Sequence, residues 1–112
     1  MSLTILLRCH DVEATRAFYQ SKLGFEVLDT AEGTLTAVLH GGVLLFTPAD
    51  LWGAAPVFTG TIYFAVPAVD DYYATLKDSV SIAWPLQDMS YGSREFGIRD
   101  CNGYFLAFRQ QP

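Results

Sequence analysis

The chain spells out one order of elements twice, and a tandem repeat of mixed strands and helix narrows the available folds more than any other feature. Residues 3–9 (LTILLRC) are apolar and read as a strand. Asp11 follows as an N-cap, and Ala14, Ala17, Phe18 and Leu23 then fall at helical spacing until Gly24 ends the helix. Residues 25–29 and 34–39 read as strands, His40-Gly41-Gly42 as a tight turn and residues 43–47 as the returning strand. After a connector at 48–60 rich in Pro, Gly and Ala, the order resumes. Residues 61–66 read as a strand, 69–77 as a helix, and 81–86, 94–99 and 104–109 as strands. Asn102-Gly103 marks the last hairpin, because both residues favour positive φ. Each half is a βαβββ unit, so the fold class is α+β in one domain, with module one at 3–47 and module two at 61–110. Ile5 overlays Ile62, Leu7 overlays Phe64, Cys9 overlays Val66 and Val12 overlays Val69. At the hairpins Gly42 overlays Gly103, so the second copy carries about four extra residues between helix and hairpin.

Composition supports a self-sufficient core. Of 112 residues, 51% are hydrophobic and 14% aromatic, enough to fold without disulfides or a structural metal. The net charge of -5 and the scattered Lys and Arg argue against nucleic-acid binding, which needs a dense basic surface. An acidic balance would suit a cationic ligand, though solubility alone explains it. No apolar run is long enough to span a membrane, and no signal peptide is visible, so Cys9 and Cys101 read as reduced thiols of a cytoplasmic protein.

Two segments carry a family resemblance. Residues 7–25 (LRCHDVEATRAFYQSKLGF) hold Asp11, Ala14, Ala17-Phe18-Tyr19 and Leu23-Gly24-Phe25. Residues 91–109 (YGSREFGIRDCNGYFLAFR) hold Tyr-Gly, Arg-Glu-Phe, Asp-x-x-Gly and a closing Phe. In this order they resemble the opening and the final hairpin of the vicinal oxygen chelate superfamily, which includes glyoxalases, bleomycin-resistance proteins and extradiol dioxygenases. The resemblance implies curved mixed sheets around a cleft, formed within one chain or across a homodimer.

Metal-dependent members place His, Gln or Glu ligands at four inward positions, in the first and last strand of each unit. By the overlay these positions hold Thr4, Phe46, Thr61 and Ala107. A shift of one residue offers Leu3 or Ile5, Leu45 or Thr47, Ile62, and Leu106 or Phe108, none a competent ligand for a divalent ion. Phe46 is expected to fill the metal's place and Ala107 to leave room for a ligand. The resemblance thus narrows to the metal-free members, which sequester an organic molecule and need no cofactor.

Strand alternation nominates the ligand-binding residues. Ile62, Phe64 and Val66 are expected to face the helix, and Thr61, Tyr63 and Ala65 the cleft. Thr4, Leu6 and Arg8, Leu44 and Phe46, and Phe105, Ala107 and Arg109 are assigned to the same lining. Trp52, Trp84, Tyr91 and Arg94 complete the set. His10 and His40 read as solvent-facing turn residues, Cys101 as a tolerated turn residue and Cys9 as core. Asp70-Asp71 reads as charge favouring a helix N-terminus.

Three functions compete. The first is a metal-free protein that sequesters an organic, antibiotic-like ligand of aromatic or cationic character, with no catalytic residue. The second is a metal-dependent lyase, isomerase or dioxygenase whose ligands are misregistered. The third is an interaction module whose cleft is closed by its own side chains.

Overall fold

A computed structural model describes residues 3–30 and 33–112. The chain divides into two compact units, one running to Phe58 and including the turn Cys101–Gly103, the other comprising Thr59–Asp100 and Tyr104–Pro112.

The first unit contains β1 (Thr4–Arg8), α1 (Val12–Ala17), β2 (Glu26–Asp29), β3 (Leu35–Leu39) and β4 (Gly42–Thr47). Its sheet runs β1-β4-β3-β2, with β1 parallel to β4 and the other pairs antiparallel. Asp11 caps α1 by accepting from the Ala14 amide at 2.9 Å. The helix then widens into a π turn over Phe18–Lys22, and Gly24 reverses the chain at φ 76°. The buried face of this helix is Thr15, Tyr19 and Leu23. Ala14 and Ala17, expected on that face, are exposed. Tyr19 meets Phe25 edge-on at 5.1 Å and Phe46 at a tilt at 4.9 Å, and these rings outweigh the small alanines in deciding which face turns inward.

The second unit contains β5 (Thr61–Val66), α2 (Val69–Leu76), β6 (Ser81–Asp88), β7 (Arg94–Arg99) and β8 (Phe105–Gln110). Its sheet runs β5-β8-β7-β6, the same plan as the first. Tyr72 and Tyr73 of α2 lie on Phe96 and Phe108, and Phe108 stacks on Phe64 at 5.6 Å. The first helical amide, Val69 N–H, is capped by Gln110 Oε1 at 3.0 Å. Asp70 and Asp71 stand in the first turn of α2, as read, and Asp70 also gives its carboxylate to Arg94.

The repeat is real but its last strand is offset from the overlay by one residue. Val43 pairs with Thr4 as Phe105 pairs with Thr61, so Val43 corresponds to Phe105 and Phe46 to Phe108. The cause is the second hairpin, which is one residue longer between Arg99 and Phe105 than the first is between Val38 and Val43. The positive-φ pair that a tight hairpin needs is His40 (φ 45°) and Gly41 (φ 84°), in the first hairpin. In the second only Gly103 is left-handed. Asn102 is buried there for another purpose: it accepts from the His10 amide at 2.9 Å and donates to Thr15 Oγ1 at 3.2 Å.

Candidate ligand site

A one-residue slip along a strand turns every side chain to the opposite face. Phe46 and Leu44, assigned to the cleft, are therefore found on the helix side, buried, with Phe46 against Tyr19. The residue facing the same way as Thr4 and Leu6 is Leu45, paired with Leu6. Thr4, Leu45, Thr61 and Ala107 offer no ligand set for a divalent metal, and among the described residues no group of three or more His, Cys, Asp or Glu side chains could hold one. The residues present do not fit the family's metal.

Of the remaining first-unit candidates, Arg8 bonds the Ala54 carbonyl and lies 3.6 Å from Asp50. Asp50 also accepts from the Trp52, Gly53 and Ala54 amides, and these bonds hold its carboxyl below the usual carboxylate range, Ala54 foremost. Trp52 stands exposed on this small turn. Thr4 is exposed.

The second unit gathers the other candidates around a residue that strand alternation did not nominate. Glu95 on β7 is completely buried. Its Oε1 accepts from Tyr91 Oη at 2.8 Å, and its Oε2 accepts from Tyr63 Oη at 3.1 Å and Trp84 Nε1 at 3.2 Å. A buried carboxylate is costly unless hydrogen-bonded, and here three neutral donors solvate it. Register explains the convergence. Tyr63, Ala107, Gly97 and Trp84 are cross-strand partners across β5, β8, β7 and β6, and Glu95 lies one row further along β7, opposite Arg109. Two small residues stand between the two large rings. Gly97 has a reason of its own: a Cβ there would sit 2.4–2.5 Å from three Trp84 ring atoms, so only glycine lets the indole lie on the strand and reach Glu95. The turn 89–93 carries Tyr91 and is closed by Met89 N–H to Ser93 O at 2.7 Å, with Gly92 at φ 90°.

Beside this cluster opens a pocket of about 630 Å³, with Tyr63, Tyr91, Ser93, Arg94, Glu95 and Arg109 among its lining residues. Tyr63 is 47% and Tyr91 65% exposed. The Tyr91 phenol is held protonated, its pKa pushed up by its hydrogen bonds to Tyr63 and Glu95. Arg94 is occupied, bidentate on Asp70 at 2.8 and 3.0 Å and bonded to Asp88 at 3.2 Å. Thr61 is exposed, but Ala107 is completely buried, so the room expected above it is already filled. Tyr63, Trp84, Tyr91, Arg94 and Arg109 thus come together in the second unit, while Thr4, Arg8 and Trp52 belong to the first. Glu95 had one legible signal, a lone carboxylate in the Arg-Glu-Phe strand with the parity of Gly97.

Two tandem βαβββ units, each a four-stranded mixed sheet with one helix, define the vicinal oxygen chelate class of proteins. Residues 3–108 match the Glyoxalase/Bleomycin resistance protein/Dioxygenase superfamily, and the chain belongs to it. No curated protein sequence matches the chain. Solved structures that share its fold include TioX from Micromonospora sp. ML1, with a TM-score of 0.81, 20% identity, and coverage of 100% of this chain and 99% of that one. A glyoxalase/bleomycin resistance protein/dioxygenase from Alicyclobacillus acidocaldarius has a TM-score of 0.79 and 17% identity over 98% and 90% of the two chains. A lactoylglutathione lyase from Agrobacterium tumefaciens has a TM-score of 0.74 and 20% identity over 98% and 92%.

Proposed function

We propose that this protein binds and sequesters a small organic molecule of antibiotic-like size without metal chemistry, using the aromatic site of its second unit. One observation carries the reading: Glu95 fixes Tyr63 and Tyr91 in the wall of an open pocket and holds Trp84 behind them. Preorganised aromatic surface with a few polar groups is the usual character of a small-molecule site. The side chains at the family's metal positions point the same way, since none of them donates to a metal. The metal-dependent lyase or dioxygenase reading would need ligands supplied by other residues.

Binding is tested by titrating planar aromatic compounds into protein carrying Trp52→Phe, so that Trp84 alone reports. Saturable quenching that is lost in Tyr63→Ala and Tyr91→Ala supports the site. A stoichiometric divalent ion in purified protein, lost with activity on chelation, would overturn it. We further propose a homodimer, on the strength of Leu6 and Leu28, 40% and 50% exposed in the first sheet; light scattering at the monomer mass would refute that. Nucleic-acid and membrane partners are not proposed, and no helix among the described residues is long and apolar enough to cross a membrane.

A further inference from the structure

Hydrogen-bond accounting over the pocket separates groups already used inside the protein from groups left for a ligand. The side-chain carboxylate in the lining, Glu95, accepts three bonds and is wholly buried. Tyr63 and Tyr91 spend their protons on it. Arg94 is committed to Asp70 and Asp88, and Arg99, on the same sheet, lies over the Phe105 ring at 5.4 Å. Arg109 remains. It is exposed, lines the pocket, and has no hydrogen bond or ion pair among the described residues. A free guanidinium is built for bidentate pairing with a carboxylate.

We infer that the pocket selects an organic anion, an aromatic or unsaturated carboxylate whose acid group pairs with Arg109 while its apolar body lies on Tyr63 and Tyr91. This rests on the proposed binding site and specifies its ligand class. It also reverses the cationic preference that the chain's net charge of -5 would suggest, because local commitments rather than total charge decide what the pocket presents.

Three probes of one shape test it: cinnamate, cinnamamide and cinnamylamine, titrated by calorimetry and by the Trp84 indole N–H resonance. The expected order is cinnamate first and the amine last. Arg109→Gln should weaken cinnamate by about tenfold, which corresponds to one charged hydrogen bond, and so close its gap over cinnamamide. Arg109→Lys should keep part of the preference. A preference for cinnamylamine, or equal binding of all three with Trp84 shifting in each, overturns the anion assignment while leaving the aromatic site standing. Absence of any Trp84 shift with all three overturns both.

Discussion

Replacing Gly97 with alanine should damage this protein, although the same change in an ordinary strand helps. Alanine in a strand interior is favoured over glycine by roughly 0.5–1 kcal/mol, and Gly97 needs no left-handed backbone to oppose that gain. What opposes it is space. The new methyl would lie 2.4–2.5 Å from the Trp84 Cε2, Cδ2 and Cζ2 atoms, well inside contact distance. If the indole stays, the strand and ring absorb overpacking of about 1–3 kcal/mol. If it swings away, its bond to the buried Glu95 carboxylate is lost, a similar cost of about 1.5–3 kcal/mol. These outcomes are alternatives, so the net loss after the backbone gain is about 1–2 kcal/mol. Urea unfolding measures it, and the Trp84 indole N–H resonance shows which branch is taken. In a Trp84→Leu background the clash is absent, so Gly97→Ala should there be neutral or stabilising. An equal loss in both backgrounds, or a stable Gly97→Ala protein with an unmoved indole resonance, would refute the account of Gly97 as the seat of Trp84.

Glu95→Ala should cost about 3 kcal/mol, since it leaves three donors around a void, whereas Glu95→Gln should cost less than half of that because the tyrosine hydroxyls can turn to accept from the amide; urea midpoints of the two variants decide. Asn102→Ala should destabilise by about 1–3 kcal/mol through the His10 amide it strands, seen as faster amide exchange at His10. Asp70 has its pKa held below the ordinary value, chiefly by hydrogen bonding from Arg94. Its contribution to stability is present above the unfolded carboxylate value of about 3.9 and disappears as pH falls through the lower native value. Urea midpoints of wild type should therefore drop more steeply below pH ~4 than those of Asp70→Asn, and parallel curves would contradict the pair.

The element order, the two-unit repeat and the inward set Ile62, Phe64 and Val66 were legible in the sequence. Each depends on neighbours along the chain: alternation, helical spacing, and glycines such as Gly24 where the backbone turns left-handed. The lining of the first unit was not legible. Phe46 was assigned to the wrong face because parity along β4 is set by its pairing with β1 and β3, while the overlay carried it across from a hairpin one residue longer. The residue at the centre of the candidate site was not legible either. Tyr63, Trp84, Tyr91 and Glu95 come from three strands and a turn, and nothing in their spacing announces that they meet. Their convergence depends on lateral strand order, on the small Ala107 and Gly97 between the rings, and on a carboxylate whose burial left it no other partners. Local chemistry wrote the units, while contacts between strands distant in sequence chose which side chains face one another.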